Sequence, residues 1–134
     1  MRYVDYDEAM ATLSPAAAVD ALREELTGGF DPASDQERQK VALPHGEMHL
    51  LPSALDDAVG VKVLGIQPTD SDVDVPFIQG SYLLMGGKTL TPEWVIDAAA
   101  LTTLRTPAVS VAGVVELLRE SSEPLDVVIF GTGA

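Results

Sequence analysis

The chain has 134 residues, 46% of them hydrophobic, and a formal net charge of −13 at pH 7. That length suits one domain with a core and falls short of a complete two-domain enzyme. So acidic a surface excludes a nucleic-acid backbone or an anionic membrane as partner, since both need a basic face. The lack of cysteine excludes disulfides, a thiolate nucleophile and a Cys-based zinc site.

The N-terminus is acidic and has no long apolar core, so it does not read as a signal peptide. No apolar run approaches the ~20 residues of a membrane helix. A cytoplasmic protein is expected.

Asp5 to Leu13 suits a short helical turn. Ser14 and Pro15 form a strong helix start, an N-cap followed by proline at the first helical position. Val19, Leu22 and Leu26 then share one face, and Gly28 and Gly29 end the helix. From Val41 the period changes. Val41 to Leu43 and Met48 to Leu51 flank Pro44, His45 and Gly46 as a β-hairpin. Val61 to Ile66, Phe77 to Met85 and Thr91 to Ile96 read as three more strands, with a loop carrying Asp70, Asp72 and Asp74 between the first two. Asp97 to about Glu120 reads as a long helix, N-capped by Asp97 and bent at Pro107.

At the end, Val127 to Phe130 form an apolar run short enough for a buried parallel strand. Gly131-Thr-Gly133 then matches the first half of G-x-G-x-x-G, in which glycines allow a tight turn and close approach to a pyrophosphate. The expected class is α+β: an N-terminal helix, an antiparallel sheet of about five strands, a long helix, then the first strand of a truncated Rossmann domain.

Few residues suggest chemistry. Lys62, one of three lysines, sits between Val61 and Val63 on a strand. Simple alternation turns it to solvent and the valines inward. The functional alternative puts its ammonium at the mouth of a pocket, to bind a carboxylate or handle a proton. Arg105 is the one charge between Ala98 and Ala112, so that stretch is buried or faces a cleft. The guanidinium there needs an anion, either a ligand carboxylate or a structural acid. His45 and His49 lie across a hairpin, where i, i+4 spacing does not converge on one metal. The triplet Asp70, Asp72, Asp74 lacks the glycine and terminal glutamate of an EF-hand. No metal site is expected.

The segments Leu43 to Gly46, Leu50 to Ser53, Gly60 to Val63, Pro76 to Gly80, Tyr82 to Leu84, Asp97 to Thr106 and Gly131 to Ala134 together resemble the ornithine cyclodeaminase/mu-crystallin family, in order and spacing. The resemblance implies a substrate-binding and dimerising domain over residues 1–122. It implies the first strand and glycine turn of an NAD(P)-binding Rossmann domain over 123–134, with Gly131, Gly133 and Ala134 on the cofactor.

It further implies hydride transfer to or from a small amino acid or cyclic imine, as in ornithine cyclodeamination, alanine dehydrogenation or ketimine reduction. Lys62 and Arg105 would contact the substrate, Lys62 in the catalytic role nearest the reacting nitrogen. Arg38 matches a third basic residue on the substrate carboxylate. These 134 residues alone are expected to be inactive and to form a homodimer through the sheet. The alternative is a non-catalytic ligand-binding or dimerisation module of mu-crystallin type. One departure is Phe77, where relatives often carry threonine. The cofactor could be NAD or NADP, and the substrate is not named by the sequence.

Overall fold

A computed structural model describes residues 1–70, 72–120, 122–124 and 126–130. It has the α+β architecture expected, and it extends the sheet. Strands β1 (Arg2–Val4), β2 (Gln39–Leu43), β3 (Gly46–Ala54), β4 (Ala58–Ile66), β5 (Ile78–Gly86) and β6 (Pro92–Asp97) form one sheet. Their order is β1-β6-β5-β4-β3-β2. From β2 to β6 each pairs antiparallel with its sequence neighbour, whereas β1 pairs parallel to β6. The expected five antiparallel strands are therefore six in a mixed sheet. A three-residue strand is too short for an alternation pattern, and the partner of β1 lies some ninety residues away. The Arg2 guanidinium lies 5.4 Å above the Trp94 ring and helps to hold this edge.

Local chemistry explains the helices. Helix α1 (Tyr6–Thr12) is capped by Asp5, whose carboxylate accepts from the Glu8 amide. Helix α2 (Pro15–Gly28) begins as the sequence indicates, with the Ser14 hydroxyl accepting from the Ala17 amide at 3.1 Å. Helix α3 (Ala98–Ala112) follows β6 directly, and Asp97 accepts from the Ala100 amide at 2.8 Å. The expected single helix to Glu120 is broken, and α4 runs over Val115–Glu120. The break falls at Gly113, a poor helix former, rather than at Pro107, which sits inside α3.

Helix α3 packs on β4, β5 and β6, and α1 and α2 pack against α3. Arg23 of α2 pairs with Glu116 of α4. All the helices thus lie on one side of the sheet. The buried apolar residues are few and mostly small: Ala9, Ala98, Ala100, Leu104, Ala108 and Val115. The stripe of Ala100, Leu104 and Ala108 at i, i+4 spacing lets α3 sit close to the sheet.

Cross-strand register sorts the two faces. Lys62 lies opposite Leu51 and Tyr82, whereas Val61 lies opposite Pro52 and Leu83. The first set faces α3. The second set, with Val59, Val63 and Val95, forms an apolar face on which no helix among the described residues packs. At the end of the described chain, Val127 to Phe130 form no strand and are exposed. A buried parallel strand needs neighbours to pair with and helices to cover it, and none of the described residues does either. Gly131, Gly133 and Ala134, expected on the cofactor, lie outside the described residues.

Candidate functional site

Between α2, α3 and the covered face of the sheet lies a cleft of about 530 Å³. It brings together the three cations singled out above, Arg38, Lys62 and Arg105, which are 24 and 43 positions apart in the chain. Each arrives on a different element. Arg38 immediately precedes β2, Lys62 is in the middle of β4, and Arg105 is on the third turn of α3. Leu22 and Phe30 from the α2 side and Leu101 and Val109 from α3 supply an apolar wall.

Lys62 does not follow simple alternation outward. It is 9% exposed and is the buried charged residue of the described chain. The reason is that its side of β4 is the one α3 covers, while the flanking valines face the uncovered side. Its ammonium donates to the Thr102 hydroxyl at 3.3 Å, and that hydroxyl donates to the Ala98 carbonyl at 2.7 Å. An ammonium has three N–H donors, and no acid pairs with this one among the described residues. Burial, then the charge of Arg105, then that of Arg38, hold the Lys62 ammonium below the ordinary lysine value.

Arg105 and Arg38 are exposed at the cleft mouth. Neither forms an ion pair among the described residues, so the structural acid considered for Arg105 is not there.

Two polar groups of the cleft escaped the sequence reading. Asp35 brings the loop before β2 onto β3: it accepts from the Ser53 hydroxyl at 2.7 Å and from the amides of Gln36 at 2.8 Å and Ala54 at 3.3 Å. Partial burial pushes the Asp35 carboxyl up. The Ser53 bond, the two amides and the nearby Arg38 outweigh it, and the net shift is downward. Tyr82, the cross-strand neighbour of Lys62, lines the floor. Its position opposite a central lysine was the signal available for it. Asp35 had none, since it sits in a polar loop among other acids.

His49 does not meet His45. Its imidazole pairs with Glu47 at 2.8 Å on the same strand. Among the described residues no group of three or more His, Cys, Asp or Glu side chains could hold a metal. No helix there is long and apolar enough to cross a membrane. Phe77 is exposed, and its carbonyl closes the loop before β5 by accepting from the Gln67 amide at 3.0 Å.

The protein is thus an α+β domain with a cationic cleft between sheet and helices. The family model described as ornithine cyclodeaminase/mu-crystallin matches residues 3–134. The chain belongs to the ornithine cyclodeaminase/mu-crystallin family. No curated protein matches it.

Among solved structures it is similar to an archaeal alanine dehydrogenase dimer with bound NAD, at 22% identity and a TM-score of 0.67, covering 80% of this chain and 34% of that one. It is similar to the Δ1-pyrroline-2-carboxylate reductase of Thermococcus litoralis in complex with NADH and L-proline, at 23% identity and 0.69, covering 82% and 36%. A probable ornithine cyclodeaminase from Bordetella pertussis Tohama I gives 21% and 0.69, covering 85% and 35%. At these identities the likeness establishes the fold. The chain spans about a third of the length of these structures.

The placement of Lys62 carries a consequence for stability. Its folded-state pKa is lowered, so below the ordinary lysine value the unfolded chain binds more protons than the folded one, and stability rises with pH through that window. Lys62→Met keeps the volume and removes the charge. The unliganded variant is expected to be more stable at pH 7, by roughly 1 kcal/mol, and to lose the alkaline rise. Urea unfolding of both proteins between neutral pH and about pH 10 checks this; a variant less stable than the parent throughout would contradict it.

Proposed function

We propose that the cleft binds the carboxylate of a small amino acid or cyclic imine in an NAD(P)-dependent oxidoreductase or cyclodeaminase reaction. The observation that carries this reading is the meeting of Arg38, Lys62 and Arg105 in one cleft without acids paired to them. Asp35 offsets part of the charge of Arg38 without pairing with it, and a bound carboxylate relieves the repulsion that remains among the three cations. In this reading the two guanidiniums grip the carboxylate from the mouth. Lys62, deeper and with a lowered pKa, lies toward the reacting nitrogen and exchanges a proton with it. The apolar wall from α2 and α3 takes the hydrocarbon part of the substrate.

The described residues do not by themselves fit a dinucleotide. Val127 to Phe130 are exposed, and no helix follows them among the described residues to offer its N-terminus to a pyrophosphate. We therefore assign residues 1–122 to substrate binding and dimerisation. The 123–134 segment we assign to the entry of the nucleotide domain that the family membership suggests.

Dimerisation would use the apolar sheet face carrying Val59, Val61, Val63, Leu83 and Val95. A two-fold pairing covers such a face on both copies at once. Sedimentation equilibrium at tens of micromolar is expected to give a dimer that Val61→Lys dissociates; a folded monomer would remove the proposal.

The carboxylate reading is tested by titrating the 134-residue chain with pyrrole-2-carboxylate, a flat, unreactive imine-acid analogue. Arg105→Lys keeps the charge but loses the planar fork, and is expected to weaken binding about tenfold, the equivalent of about 1.4 kcal/mol. Unchanged affinity in Arg105→Lys and Arg105→Ala alike would contradict the assignment.

A further inference from the structure

Tyr82 has a free hydrogen-bonding group where the proposed ligand would sit. It stands opposite Lys62 in the β4–β5 ladder, on the face turned toward α3. Its side chain reaches along the sheet and lies over Gly60. A Cβ built on residue 60 would overlap the hydroxyl and the adjoining ring carbons. Glycine at 60 is therefore what gives the phenol its seat. Any larger residue would lift the ring into the cleft or expel it.

The hydroxyl forms no hydrogen bond with any described residue. Among the described residues no buried side-chain polar atom lacks a partner, so the hydroxyl is open to the cleft rather than sealed beneath it. The acid near it, Asp35, already accepts three bonds from Ser53, Gln36 and Ala54. Tyr82 thus presents an uncommitted O–H in the same cleft as a buried ammonium with donors to spare.

We propose that the Tyr82 hydroxyl is a further ligand-binding group of the cleft, a neutral donor that holds an oxygen of the bound carboxylate alongside the Lys62 ammonium. The proposal rests on the carboxylate reading above. Its physical sense is that a phenol adds a directional bond without adding a fourth positive charge to Arg38, Lys62 and Arg105. Burial first, and then the negative charge of Asp35, push the Tyr82 phenol above its ordinary value, which keeps it a donor across the neutral range.

The test uses the 134-residue chain with tyrosine labelled at the ring Cζ carbon and pyrrole-2-carboxylate as probe. The chain has three tyrosines, so the Tyr82 resonance is identified as the one missing in Tyr82→Phe. It is expected to shift on titration while those of Tyr3 and Tyr6 stay still. Tyr82→Phe, which keeps the ring over Gly60, should weaken binding about tenfold, in line with loss of one bond to a charged group. Arg105→Ala separates the two claims.

If the Tyr82 resonance stays still, or Tyr82→Phe binds like the parent, while Arg105→Ala loses binding, the Tyr82 proposal is overturned and the carboxylate site stands. If binding is absent or indifferent to Arg105→Ala, both fall. The resonance test in the parent protein needs no folded variant beyond the assignment.

Discussion

A buried ammonium without an acid partner is the constraint around which this domain is arranged. Removing a charge from water costs several kcal/mol unless it is paired. Lys62 has one hydrogen bond, to Thr102, and two further cations near it. A fold selected for stability alone would place methionine or leucine there. The geometry holds the charge in place regardless, because β4 is central in the sheet, flanked by β3 and β5 over its whole length. The register leaves Lys62 nowhere to go but toward α3. Such a cost, maintained by the most firmly held strand, suits a residue whose partner is a ligand.

The rest of the cleft follows from how the sheet is covered. One face receives all the helices and is polar at its centre, with Lys62, Tyr82 and Ser53 in adjacent positions. The other is apolar and has no helix on it among the described residues. The small residues Ala100 and Ala108, with Leu104 between them, bring α3 near the sheet, while Arg105, one position on from Leu104, is exposed at the cleft mouth. The loop before β2 is drawn over the cleft by Asp35 bonding to Ser53 and the Ala54 amide, and this brings Arg38 to the mouth. The proposed substrate side and the proposed self-association side are thus separated by a single layer of strands.

Much of this was legible in the sequence where local chemistry decides. Ser14 with Pro15, Asp97 at the start of α3, and the hairpin at Pro44 to Gly46 act within a few residues. Gly46 has a φ of 138°, and a Cβ there would collide with the Ile66 carbonyl, so glycine is required at that turn.

Where tertiary pairing decides, the sequence was less informative. Strand β1 forms only because Trp94 to Ile96 present an edge to it. Alternation along β4 is plain, but alternation does not tell which face the helices cover, and the simple rule of valines inward placed Lys62 on the wrong side. Lys62 and Arg105 stood out as isolated charges in apolar stretches. Arg38 had no such signal and came through family resemblance alone, and Asp35 was hidden among acids in a loop.

The central claim is that the cleft's cations await a carboxylate, and proton linkage measures this most directly. An anion beside Lys62 must raise its lowered pKa, so binding must take up protons where the free ammonium is partly deprotonated. Calorimetric titration of the 134-residue chain with pyrrole-2-carboxylate, repeated at a series of alkaline pH values up to the ordinary lysine pKa in buffers of different ionisation enthalpy, reads that uptake. The account predicts net proton uptake that vanishes in Lys62→Met. Binding without proton uptake, or with uptake unchanged in Lys62→Met, would contradict it.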